Sequence, residues 1–210
     1  MNVKPLICLF VVLLFGNMAN GQSAEYYAGH ERTGVDIMWF RNFLNKTDEK
    51  TPFLFFSRNR ASIDYHASPA AFGSTNAISY NFKNGMGMVG VASFLNNGFT
   101  PKAGIQFYRQ KNDWMFFGWF VSDLEKEGNL DVFGMLRYRP KLSDNWRGFA
   151  QVEVFPVLTP ATGNWNLTQR IRLGINYHRL ATGFALDLNQ QGKQNWIKTS
   201  NAGGFLRYEF

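Results

Sequence analysis

Apolar and polar positions alternate along most of this chain in short blocks. From Trp165 to His178 one lane reads Trp165, Leu167, Gln169, Ile171, Leu173, Ile175, Tyr177. The other reads Asn166, Thr168, Arg170, Arg172, Gly174, Asn176, His178. A period of two predicts a strand with unlike faces, and two mid-lane arginines do not fit the stripe of a helix. Trp146, Gly148, Ala150, Val152 and Val154 alternate in the same way with Arg147, Gln151 and Glu153. Val132, Leu136 and Tyr138 oppose Asp131, Arg137 and Arg139, and Phe184, Leu186 and Leu188 oppose Asp187 and Asn189. Earlier in the chain Ile63 and Tyr65 oppose Arg58, Arg60, Ser62 and Asp64.

Turn chemistry separates these blocks. Lys83-Asn84-Gly85, Lys111-Asn112-Asp113 and Ala181-Thr182-Gly183 predict tight connections. Longer polar connections at 66–75, 123–129, 157–164 and 190–197 alternate with them. The pattern predicts strands over roughly 35–44, 52–65, 74–82, 86–95, 99–110, 114–122, 129–140, 145–156, 165–178, 180–190 and 198–210. A twelfth is expected in Ala24 to Glu31, where Tyr26 and Tyr27 are weakly strand-like. No repeat, linker or low-complexity tract interrupts the chain.

The two ends suggest an address. Lys4, then the apolar run Pro5 to Phe15, then Ala19-Asn20-Gly21 predict a secretory signal over 1–21, cut before Gln22. Eleven residues at helical rise fall short of roughly 30 Å of hydrocarbon, so this run is not read as an anchor. Cys8, the only cysteine, lies inside that run, where neither a lipid anchor nor a disulfide is expected. At the other end Gly204, Leu206, Tyr208 and Phe210 alternate with Gly203, Phe205, Arg207 and Glu209. This strand with a terminal aromatic resembles the last strand of bacterial outer-membrane β-barrels. The resemblance covers about ten residues directly. It implies export to the outer membrane, recognition of the C-terminal strand by the barrel-assembly machinery, and lipid as the solvent of the apolar lane.

The expected fold is therefore all-β: a transmembrane, antiparallel up-and-down barrel of twelve strands, with ten as the alternative. Residues 22–210 are read as one domain. The 189 residues after the leader allow about sixteen per strand and connection, against a spanning need of roughly 9–11. Twelve strands also keep both ends periplasmic and preserve the even count of bacterial barrels. A soluble sandwich or lipocalin-like barrel is the competing architecture, but it would bury the apolar lanes and leave the Tyr208-x-Phe210 ending without a role.

Composition supports the membrane reading. The chain holds 21 Phe, 8 Tyr and 6 Trp, more than a soluble domain of this hydrophobicity needs and suited to interfacial girdles. Trp146, Trp165, Tyr177, Tyr208 and Phe210 fall where such girdles are expected. The formal charge of +7 becomes +6 once Lys4 leaves with the leader. For an exported chain this points to anionic lipid or solutes and away from nucleic acid.

Lane assignment then places charges inside. Arg58, Arg60, Lys102, Arg137, Arg139, Arg147, Arg170, Arg172 and Arg207 are the inner bases. Asp64, Asp131, Glu153, Asp187 and Glu209 are the acids expected to pair with some of them. A basic surplus predicts a narrow, anion-leaning passive channel for small acidic solutes. Arg58/Arg60 and Arg170/Arg172 stand out as paired steps, similar in kind to the basic tracks of twelve-stranded porins for acidic sugars. A non-conducting structural or assembly-partner barrel with a salt-bridged interior is the alternative. Trp114 to Val121 is apolar on both lanes, so Phe117 and Trp119 form either an aromatic lumen wall or simple packing.

An enzyme is the weaker expectation. A lipid hydrolase or acyltransferase would need a catalytic set near the outer rim, and only His66, near Ser68 and Asp64, falls there. His30 lies in the ambiguous first segment, and His178 at the periplasmic end. No residues are spaced as metal ligands, and no cofactor is expected. Asn45-Lys46-Thr47 and Asn166-Leu167-Thr168 match a glycosylation pattern that has no meaning in a bacterial outer membrane.

Overall fold

The computed structural model describes residues 22–66, 70–96, 98–125 and 128–210. The leader assigned to 1–21, with Cys8, lies outside them, as does Ser68. Twelve antiparallel strands form one closed barrel. They are β1 (Ser23–Gly29), β2 (Arg32–Leu44), β3 (Lys50–Asp64), β4 (Ala71–Asn81), β5 (Met86–Leu95) and β6 (Gly98–Lys111). The second half comprises β7 (Trp114–Asp123), β8 (Leu130–Tyr138), β9 (Trp146–Thr159), β10 (Asn164–Tyr177), β11 (Leu180–Gly192) and β12 (Ile197–Glu209). Each strand pairs with its sequence neighbours. β1 closes the ring by pairing with β12, from Ser23 opposite Glu209 to Gly29 opposite Gly203. The weakest strand in the sequence thus removes both free sheet edges.

Alternation decides the faces. On β3, Leu54, Phe56, Arg58 and Arg60 point inward while Phe53 and Ile63 are 47% and 56% exposed on the outside. On β12, Phe205 and Arg207 are buried and Leu206 and Tyr208 exposed. Ile78, Met88, Ile105, Phe120, Leu136, Leu173 and Phe184 continue the apolar exterior around the ring. An outward apolar surface on a closed sheet is the arrangement a bilayer demands.

One region of the exterior departs from this. Ser57 and Asn59 on β3 stand opposite Asn76 and Ser74 on β4, all in the outer lane. Asn59 donates to Ser57 Oγ (3.2 Å), Ser74 to Asn59 Oδ1 (2.7 Å), and Asn76 to Ser74 Oγ (3.1 Å). The chain of hydrogen bonds offsets part of the penalty of holding polar groups in lipid.

The last tight turn differs from expectation. It falls at His178-Arg179, with His178 at φ 51°, while Ala181-Thr182-Gly183 lies within β11. The glycine there serves packing: a Cβ on Gly183 would stand 2.1 Å from the Leu173 carbonyl oxygen. Its register partner Gly174 is equally tight, with Thr182 O at 2.0 Å from a built Cβ. The other short turns match the pattern, with Gly85 at φ 91° and Asn112 at φ 52°.

Candidate functional site: a divided lumen

The interior is filled by two unlike materials. On the β9–β12 and β1 side, charged groups form one connected network. Arg172 donates to Glu25 (2.9 Å) and Asp187 (2.7 Å). Arg207 reaches the same Glu25 through Nε (2.9 Å) and Nη2, and Gln151 through Nη1 (2.8 Å). Gln151 donates to Glu153 at 2.6 Å. Glu153 in turn accepts from Arg58 at 2.9 Å. Because β3 and β9 are six places apart in a twelve-membered ring, this last contact joins opposite walls. Arg58 also meets Asp36 at 2.5 Å, and Arg60 donates to the same carboxylate. Arg170 lies 3.6 Å from Glu153 and 3.9 Å from Asp187, close enough for attraction but too long for a hydrogen bond.

On the β2–β8 side an apolar cluster packs beside Asp36, Arg58 and Arg60. Leu54, Phe117, Val121 and Met135 are at most 1% exposed. Phe117 stacks on Phe56 at 5.2 Å between centroids and meets Phe40 edge-on at 4.8 Å. Trp119 lies 5.0 Å from Phe133. Phe117 and Trp119 therefore pack against each other and their neighbours. Lys102 forms a separate triad beside this cluster, 2.6 Å from both Asp123 and Asp131.

Together the two halves make a septum between two cavities. The larger, about 910 Å³, opens at the end where the strands meet the short turns. Its lining includes Arg41, Lys50, Arg137, Arg139, Arg147 and Arg179 against Asp113 and Glu209. The smaller, about 160 Å³, is lined by Arg58, Arg60 and Arg170 with no carboxylate among its lining residues. No residue lines both.

The inner bases expected from the sequence are placed as follows. Arg58, Arg60, Arg170, Arg172 and Arg207 belong to the network, Lys102 to its triad, and Arg139 pairs with Glu209 at 2.6 Å. Arg147 is exposed at the mouth, 3.4 Å from Asp113. Arg137 donates to Gln151 at 2.7 Å and has no ion pair among the described residues. Of the acids, Asp131, Glu153, Asp187 and Glu209 each meet a base, while Asp64 is exposed at the far rim.

Three inward acids escaped the sequence reading: Glu25, Asp36 and Asp123. With them the charge at mid-lumen is closer to balance than a count of nine bases against five acids implies. The parity of Ser23, Glu25 and Tyr27 against Ala24, Tyr26 and Ala28 carried the first signal, and Asp36 between Val35 and Ile37 the second.

Outside the barrel, Trp146, Tyr177 and Tyr208 gather near the short-turn end, with Trp146 and Tyr177 rings 4.8 Å apart and Tyr208 and Phe210 5.6 Å apart. Trp165 is exposed at the opposite end. His66 is exposed beyond β3, His30 hydrogen-bonds the backbone of Ala202, and His178 forms a turn. Among the described residues no three His, Cys, Asp or Glu side chains gather as a metal site would require.

A twelve-stranded closed barrel with an apolar exterior and a charged interior defines a class: this chain is an outer-membrane β-barrel. No family model matches it, and no curated protein matches its sequence. Among solved structures it is similar in fold to the NanC porin, at 10% identity and a TM-score of 0.51, over 90% of this chain and 98% of that one. The KdgM porin in complex with disordered oligogalacturonate also matches, at 10% identity and a TM-score of 0.49, with the same coverage.

Proposed function

We propose that this barrel is a narrow, anion-leaning passage for small acidic solutes, constricted by the septum. The observation that carries the reading is the lining of the two cavities: six bases against two acids on one side of the septum, three arginines and no acid on the other. Arginine keeps its charge at any physiological pH, so the surplus of bases around the larger chamber favours anions over cations, while Arg58, Arg60 and Arg170 at the smaller one share Asp36, Glu153 and Asp187. The septum narrows the route between them. Arg58, Arg60 and Arg170 are 12%, 15% and 22% exposed in their side chains, which leaves them reachable from the smaller chamber. The porin fold shared with NanC is compatible with this role and does not name a solute. Single-channel recording in planar bilayers tests it. Discrete steps with an anion-selective reversal potential are expected, reduced by Arg60→Gln with Arg170→Gln. A silent wild-type bilayer overturns the reading.

A second reading is a non-conducting barrel whose salt-bridged interior braces the walls. Its specific support is the Arg58–Glu153 contact across the full lumen together with the absence of a lining residue common to both cavities. Silence in the wild type combined with discrete steps in Phe117→Ala would favour it.

A further inference from the structure

We propose that the larger chamber is a binding site for an amphiphilic organic anion, with Arg137 as the ligand of its charged head. Arg58, Arg60, Arg139, Arg172 and Arg207 each meet a carboxylate. Arg137 instead spends its Nε on the neutral Gln151 side chain at 2.7 Å. Its Nη2 is buried without a hydrogen-bond partner. Its Cζ lies 6.0 Å from the Phe149 ring, at the outer limit of a cation–π contact, and the ring carries no net charge to balance it. Arg137 is half-buried in the chamber wall, and a bound anion would supply the counter-charge that its Gln151 partner does not. The face of the guanidinium that lines the chamber can donate a charge-assisted hydrogen bond to a carboxylate, sulfonate or phosphate oxygen.

The rest of the chamber selects the body of the ligand. Met38, Phe40, Tyr108, Met115 and Met135 line it beside Arg137. Met115 is the direct cross-strand partner of Arg137, and Phe40 and Tyr108 rings lie 4.9 Å apart. This floor gains nothing from a fully hydrated ion. It gains from covering an aryl or alkyl group, and methionine adapts to either. The volume of about 910 Å³ is in the range of small-molecule sites. Arg139 and Arg147, already paired with Glu209 and Asp113, stand at the mouth and favour entry of anions from the short-turn side. The inference goes beyond the channel reading, because binding in this chamber does not require passage through the septum.

Calorimetry on the barrel in phosphatidylcholine nanodiscs tests it, with 4-phenylbutyrate as probe, its neutral amide as the charge control and inorganic phosphate as the hydrophilic control. The expected result is saturable binding of phenylbutyrate, at least tenfold tighter than the amide or phosphate. Arg137→Gln should weaken it at least tenfold. Met115→Glu keeps the arginine and sets a carboxylate beside it, so it should abolish binding even if Arg137→Gln does not fold. No saturable binding, equal binding of the amide, equal binding of phosphate, or unchanged affinity in Met115→Glu each overturns the proposal. Conductance is measured without the probe, so a silent bilayer beside intact binding removes the channel reading alone.

Discussion

On the β1 and β9–β12 side of the lumen, Glu25 holds Arg172 and Arg207 with all three side chains at 3% exposure. On the opposite side Phe117, Leu54 and Met135 fill the lumen with hydrocarbon and aromatic rings. Both halves exclude water, yet they fail differently. An apolar cluster loses contacts in proportion to the atoms removed. An ionic network loses far more when a single partner goes, because the remaining charges stay buried and uncompensated. The septum is thus stiff in one half and adaptable in the other.

The largest expected effect follows from Glu25→Gln, which leaves buried Arg207 without a carboxylate and Arg172 with Asp187 alone. It should destabilise the barrel by about 3–5 kcal/mol, read as a lowered urea midpoint in detergent. Phe117→Ala removes the centre of the aromatic half. Its expected cost is about 3 kcal/mol, at the low end for such truncations because chamber water can enter the gap. The same variant should join the two cavities and raise single-channel conductance several-fold. Gly183→Ala tests the tight wall beside the network: a methyl group 2.1 Å from the Leu173 carbonyl oxygen forces the strands apart. About 1–3 kcal/mol is expected, measured by the temperature at which the folded band is lost on gels. The smallest stability effect belongs to Arg170→Gln. Its contacts at 3.6 and 3.9 Å predict a loss within about 1 kcal/mol, while the reversal potential shifts toward zero. An effect of Glu25→Gln no larger than that of Arg170→Gln would erase the contrast between the halves.

Much of the fold was legible before the structure. The lanes of 165–178 and 198–210 become β10 and β12 with the expected faces, and the doubtful Ala24 segment supplies the twelfth strand as Ser23–Gly29. Gly183 misled, because a glycine required by close strand contact looks the same in sequence as one required by a turn. Trp114 to Val121 was ambiguous because both its lanes are apolar; only the neighbours Phe56 and Phe133 show that its inner lane is packed. The polar exterior of Ser57, Asn59, Ser74 and Asn76 was invisible as a unit, since it joins two strands whose register depends on the whole ring.

The sequence by itself determined what depends on neighbours along the chain: the identity of most strands, which lane meets lipid and which meets the lumen. Alternation with period two is a local property, and a closed sheet in a bilayer leaves one assignment of faces. The tertiary structure alone decided which inward charges meet. Arg58 and Glu153 are 95 positions apart, and Arg207 and Glu25 are 182 apart. Their pairing is set by strand register, by closure through β1 and by a lumen narrow enough for side chains to reach across. Those same distances left Arg137 without an ion pair among the described residues, a fact that no reading of residue types along the chain contains.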